Sequence, residues 1–130
     1  MSTPTNLLFS TTDEWVKVEG DMATIGISDY AQNSLSDIVY VEFKVSDGDT
    51  IKKDTTCVGV ESVKAAADVN SPVSGTIVEV NEALVDSYAD INTDPYGSAW
   101  MLKIKLSNPS ELTGLMDAAA YDKFCENRSH

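Results

Sequence analysis

Between Lys53 and Lys103 a single cation occurs, Lys64; every other charged residue there is acidic. It sits in the run Val60-Glu61-Ser62-Val63-Lys64-Ala65-Ala66, between two apolar, strand-forming segments. Segments 55–63 and 66–70 can pair as a hairpin with Lys64 near its tip. A lysine amine does covalent chemistry in two settings. Buried, its pKa falls and it forms Schiff bases. Exposed, it is open to a modifying enzyme and takes an acyl group as an amide, losing its charge. A hairpin tip favours the second setting, and the bland alternative is a solvated turn lysine. Other reactive groups are scarce. The single histidine is the last residue, His130, so a histidine triad or a multi-histidine metal site is excluded. Cys57 and Cys125 lack metal spacing and read as buried thiols in a reducing compartment.

The chain has 130 residues, 9 basic against 21 acidic, and net charge −12. Such a balance argues against nucleic acid and against anionic membranes as partners. The charge is spread: residues 1–65 carry 5 basic and 11 acidic side chains, residues 66–130 carry 4 and 10. With 42% apolar residues the composition is that of one globular domain, 1–130, with a sizeable core. No stretch is long and apolar enough for a transmembrane helix. The start, Met1 to Phe9, lacks both a basic n-region and transit-peptide arginines. A cytoplasmic setting is therefore expected, although a processed organellar protein would look the same.

Several short elements must position the lysine. Trp15–Glu19 and Met22–Ile27 alternate around Gly20-Asp21 and predict a hairpin. Ser28 is an N-cap for a helix over Asp29–Leu35. Strands are expected at Ile38–Phe43, Thr55–Val63, Val73–Val80 and Ala99–Leu106. Asp47-Gly48-Asp49 and Asp94-Pro95-Tyr96-Gly97 are turns. Gly75 marks a bend or bulge, and Asn81–Asp90 a weakly helical crossing. In the last strand Trp100, Leu102, Ile104 and Leu106 face one way, Lys103 and Lys105 the other. Asn108 and Asp117 read as N-caps of two closing helices, with Pro109 and Glu111 completing the first. Trp15, Trp100, Tyr40 and Phe43 are expected in the core. The fold is then mainly β, with a β-rich core over about 9–107 and helices over about 108–126.

The run Glu61-Ser62-Val63-Lys64-Ala65 resembles the lipoyl-lysine motif of the glycine cleavage system H-protein family. The likeness extends over about Phe9 to Glu126. It includes Asp13-Glu14-Trp15-Val16, Ala23-Thr24-Ile25-Gly26-Ile27, Asp37-Ile38-Val39-Tyr40-Val41-Glu42 and Asn70-Ser71-Pro72-Val73-Ser74-Gly75. Further matches are Glu79-Val80-Asn81-Glu82-Ala83-Leu84, Asn92-Thr93-Asp94-Pro95-Tyr96-Gly97 and Tyr121-Asp122-Lys123-Phe124-Cys125. The resemblance implies a barrel-sandwich hybrid of the lipoyl- and biotinyl-carrier kind, with a C-terminal helical extension. It implies a carrier, not an enzyme, with lipoate in amide linkage on Lys64 and no metal. A lipoate-attaching enzyme would load Lys64. The arm would then take an aminomethyl group from glycine decarboxylase, the P protein, and yield it to aminomethyltransferase, the T protein. Dihydrolipoyl dehydrogenase, the L protein, would reoxidise it. A monomer suits such a shuttle.

By the same resemblance Thr12, Glu14 and Asp68 hold the cationic cargo in a cleft, which charge-assisted hydrogen bonds would favour. Glu61, Gly48 and Gly75 match positions around the lysine hairpin that the attaching enzyme recognises. The sequence departs from the family at four places: Asp13 for the usual histidine, Ser36 for glycine, Lys44 for proline, Ala99 for glycine. A lipoate relay toward 2-oxoacid dehydrogenases is the alternative role. Lipoyl domains of those complexes are shorter and carry aspartate where Val63 stands, and a biotin carrier would show Met-Lys-Met. An enzyme using its own side chains would need a nucleophile–base pair that this sequence lacks.

Overall fold

β-branched residues set between Gly, Asp and Pro turns build short strands rather than long ones, as seen in a computed structural model that describes residues 4–128. Among them the order is β1 (Leu8–Phe9), β2 (Glu14–Glu19), β3 (Met22–Ile27), α1 (Asp29–Leu35), β4 (Ile38–Phe43), β5 (Thr50–Ile51), β6 (Thr56–Ser62), β7 (Ala66–Asn70) and β8 (Gly75–Val80). A 3-10 turn at Glu82–Val85, α2 (Asp90–Thr93), β9 (Leu102–Leu106), a 3-10 stretch at Pro109–Gly114 and α3 (Ala118–Glu126) follow. His130 lies outside the described residues.

The strands form two sheets. One has the order β1-β2-β3-β9-β8-β5 and the other β4-β6-β7. Their facing sides share one core: Val16, Ile25, Ile77 and Ile104 from the first meet Val41, Val58, Val60 and Val69 from the second. The mainly β architecture is the one expected, with two open sheets. β2 is buried at both Trp15 and Val16, which strict alternation would not allow for a half-exposed strand. The reason is a second cluster, Leu7, Phe9, Trp15, Ala118 and Tyr121, which covers the back of β1–β2 with α3. Phe9 stacks on Tyr121 at 4.4 Å between ring centroids, and the Trp15 indole N–H donates to the Pro95 carbonyl at 2.9 Å. Gly26 faces Trp15 across the hairpin; a methyl there would stand 2.7 Å from the indole nitrogen.

Several local expectations change. Gly75 is no bulge: the register shift in the β8–β9 ladder lies between Ile77 and Glu79. A methyl on Gly75 would overlap the Lys105 carbonyl, so the glycine admits close backbone approach instead. The last strand begins at Leu102, because the Ala99 and Trp100 N–H groups donate back into the preceding turn, to the Asp94 and Gly97 carbonyls at 3.2 and 3.1 Å; Trp100 is half-buried against the second cluster. Asn108 makes no side-chain cap, and Pro109–Gly114 winds as 3-10 rather than α. Glu111 reaches away to accept from the Ser74 N–H at 2.7 Å and hydroxyl at 2.8 Å. Tyr40 is 47% exposed rather than core, since its side of the three-stranded sheet faces solvent. Cys57 is buried but Cys125 only half so.

Candidate functional site

Lys64 stands at the tip between β6 and β7, as the spacing requires. Ser62 builds that tip. Its hydroxyl accepts the Lys64 and Ala65 N–H groups at 3.1 and 2.9 Å and donates to the Ala65 carbonyl at 3.0 Å, using its whole hydrogen-bonding capacity. The Ser62 N–H donates to the same carbonyl at 2.7 Å, and the Val63 N–H to Asp37 at 3.0 Å. A backbone held this way carries its next side chains outward: Val63 is 69% exposed and Lys64 is exposed beside it. Lys64 makes no ion pair among the described residues. Its Nζ lies 3.4 Å from the Ser34 carbonyl near the end of α1.

Ser34 is on the rim of a cleft of about 180 Å³. One wall is the turn before β2, with Thr12, Asp13 and Glu14; the opposite wall is α1, with Ala31, Ser34 and Leu35. Ala67, Asp68 and Val69 of β7, with Val60 and Ile27, close the floor. Thr12, Glu14 and Asp68, widely separated in sequence, thus meet in one cavity whose rim Lys64 touches. Thr12 and Asp68 are exposed, Glu14 is not.

Glu14 is 1% exposed, unusual for a carboxylate without a cation. Among the described residues it forms no ion pair. Three donors serve it instead: the Ser10 hydroxyl at 2.5 Å and the Thr12 hydroxyl, both on Oε1, and the Asn70 N–H at 3.2 Å on Oε2. Hydrogen bonds to a charged group are worth about 1.5–3 kcal/mol each and offset part of its desolvation. Burial still dominates and pushes the Glu14 carboxyl above its ordinary 4.5, against the Ser10, Thr12 and Asn70 bonds. Asp13 adds to the rise. Ser10 escapes sequence reasoning. A serine four residues before a glutamate has no signature until the Ser10–Asp13 turn folds them together through the Asp13 N–H to Ser10 carbonyl bond.

The residue at the usual histidine position is well partnered. Asp13 has φ +76, a left-handed conformation tolerated by short polar residues. Its carboxylate accepts from Arg128 at 2.7 Å and from the Tyr121 hydroxyl at 2.8 Å. Lys44 keeps an N–H that proline would lack, and it donates to Cys57 at 2.8 Å beyond the end of β4. Ser36 caps α1 with φ +67 and ψ −154, a region glycine occupies at much lower cost. Ala99 is buried in the main core, and its N–H donates to the Asp94 carbonyl at 3.2 Å.

The recognition candidates separate. Glu61 lies on β6, exposed, opposite Tyr40 and Ala66 and three residues from the lysine. Gly75 belongs to the other sheet and Gly48 to a turn beside it. Gly48 has φ +91 in the turn before β5 and donates to Ile77 at 2.7 Å, while Gly75 pairs with Ile51 and Leu106. Both have structural reasons to be glycine or to stay small. Burial pushes the Cys57 thiol up to about 11 and raises Cys125 as well, so neither is held as a thiolate. Among the described residues no His, Cys, Asp and Glu cluster suits a metal, and no helix is long and apolar enough to cross a membrane.

The residues present fit an acyl arm on Lys64. The amine is accessible, the cleft beside it has apolar walls for an aliphatic chain, and buried and exposed carboxylates line it for a cationic end.

Residues 7–128 match the family model described as glycine cleavage H-protein. The chain is 52% identical over 120 residues to the mitochondrial glycine cleavage system H protein of Flaveria pringlei, covering 92% of this chain and 74% of that protein. It is 46% identical over 129 residues to the glycine cleavage system H protein of Methylacidiphilum infernorum, covering 98% and 99%. A crystal structure of a glycine cleavage system H protein from Mycobacterium marinum superposes with TM-score 0.85 at 32% identity, covering 95% of this chain and 98% of that one.

Proposed function

Because this chain belongs to the glycine cleavage H-protein family, we propose that it serves as the lipoyl carrier of the glycine cleavage system with lipoate in amide linkage on Lys64. The bound group supplies a redox-active dithiolane that takes up and releases an aminomethyl group. The chain supplies presentation, shelter and charge. Glycine decarboxylase, aminomethyltransferase, dihydrolipoyl dehydrogenase and a lipoate-attaching enzyme are the partners of this reading, each visited by a carrier that is monomeric and not itself a catalyst. The setting we assign is the cytoplasm, a reducing compartment that suits two free thiols.

Ser62 holds the hairpin so that the Lys64 amine projects for attachment. Tethering at this tip keeps the arm at high effective concentration near the cleft and near each partner. Ala31, Leu35 and Ala67 exclude water from the arm, and Glu14 and Asp68 hold the cationic cargo with Thr12 orienting the Glu14 carboxylate. One observation carries this reading: a buried carboxylate lacking a cation among the described residues sits in the cleft whose rim the exposed lysine touches. A cationic cargo completes that site.

Intact mass of the protein from its native host tests the attachment. One lipoyl adduct is expected, placed on Lys64 by peptide fragmentation. An unmodified chain from cells active in lipoylation would sink the assignment. Lys64→Arg should abolish glycine-dependent turnover in a reconstituted system without altering the melting temperature, and retained turnover refutes the role.

A further inference from the structure

We propose that Arg128 is a positioning residue for the cleft: through Asp13 and Tyr121 it holds the Thr12–Glu14 wall against α1 and so sets how firmly a cationic cargo is retained. This rests on the reading that the cleft holds an amine.

The guanidinium of Arg128 grips the wall at two points. It donates to the Asp13 carboxylate at 2.7 Å and to the Thr11 carbonyl at 3.1 Å. Thr11 and Asp13 flank Thr12, whose hydroxyl donates to Glu14. The same guanidinium lies 4.5 Å from the ring centre of Tyr30 on α1 and 4.3 Å from that of Phe124 on α3. One planar group therefore touches the turn, the opposite wall and the helix behind both. The side chains of Arg128 and Asp13 are 19% and 20% exposed, so solvent screens the pair little.

A hydroxyl chain runs parallel to this clamp. Tyr121 has one proton and donates it to Asp13, so Ser28, 2.6 Å away, donates to the Tyr121 oxygen. Ser28 also caps α1 by accepting from Ala31, which lines the cleft. Ser28, Tyr121 and Asp13 thus join the start of α1 to the turn. Arg128 and Tyr121 do not line the cleft themselves. Arg128 reaches its contents through the wall, where it also balances the Asp13 charge; Tyr121→Phe, which changes no charge, isolates wall position.

The test compares wild type, Arg128→Ala, Glu14→Ala and the double variant, each lipoylated and loaded. Hydrolytic loss of the aminomethyl group should be about fivefold faster in Arg128→Ala, and no faster in the double variant than in Glu14→Ala alone, because coupled residues are non-additive. If Glu14→Ala leaves the rate unchanged, the amine-holding reading itself fails. If Glu14→Ala speeds the loss and Arg128→Ala does not, only the positioning role is overturned. Additive effects overturn it too. A second readout uses the unlipoylated protein. Carboxyl 13C NMR should show the Glu14 titration midpoint moving upward in Arg128→Ala and in Tyr121→Phe, which changes no charge, as the hydroxyl donors drift from Glu14. An unmoved midpoint in either variant overturns the proposal. Arg128→Met keeps aliphatic packing on Phe124 and carries the same expectations should the alanine variant not fold.

Discussion

The backbone N–H of Asn70 donates to Glu14 Oε2 at 3.2 Å across 56 residues of sequence. Asn70 ends the strand that descends from the Lys64 tip, and Glu14 opens the strand that forms the cleft wall. The bond thus ties the Lys64 hairpin directly to the buried carboxylate proposed to receive a cationic cargo.

Glu14 should make cargo retention pH-dependent. Its folded pKa lies above the ordinary 4.5 because of burial. The folded chain then binds this proton more readily than the unfolded one, so stability falls as pH rises through the window between those values. Retention runs the opposite way, since a cationic cargo needs the ionised carboxylate and is held less firmly as pH falls below the raised folded value. Glu14→Gln should flatten both profiles. Thermal melts and cargo-loss rates across that window check this; a Gln variant that keeps the wild-type slopes places the titration elsewhere.

Ser62→Ala should slow lipoate attachment severalfold while costing at most about 1 kcal/mol of global stability. It removes three bonds at an exposed tip, where water replaces part of what is lost. A mass time course with a purified lipoate-attaching enzyme reads the rate. Unchanged kinetics would show that the enzyme does not depend on hairpin shape.

Ser36→Gly should stabilise the protein by about 1 kcal/mol. The serine holds φ +67 and ψ −154 at the end of α1, a conformation glycine adopts without strain from a Cβ. The denaturant midpoint should rise with the slope unchanged. A lower midpoint would mean the Ser36 side chain contributes more than its backbone strain costs.

Gly75→Ala should destabilise by about 3 kcal/mol, because the added methyl meets the Lys105 backbone and stands 2.7 Å from an Ile104 methyl. Attachment at Lys64 should scale with the folded fraction alone. A fully folded variant that resists lipoylation would instead make Gly75 a recognition element.

Local chemistry was legible along the chain. The Trp15–Ile27 hairpin, the Ser28 cap, the Pro95 turn and the exposed Lys64 tip each depend on neighbours within a few residues, where propensity and hydrogen bonding act directly. Longer-range reading was less secure. Tyr40 was expected inside as a large aromatic on a strand, but residue type does not say which face the second sheet covers. Glu111 looked like part of a capping box, yet Ser74, 37 residues away, holds its carboxylate.

The sequence by itself placed a lone cation, Lys64, at the tip of a β hairpin, in a chain whose residues 7–128 match the family model. Only the tertiary structure decided that Glu14 is buried with Ser10, Thr12 and Asn70 around it. It alone set Asp13 against Arg128 and Tyr121. The physical reason is that desolvation and hydrogen-bond partnership belong to the packed arrangement of distant segments, while turn and strand preferences belong to the residues themselves.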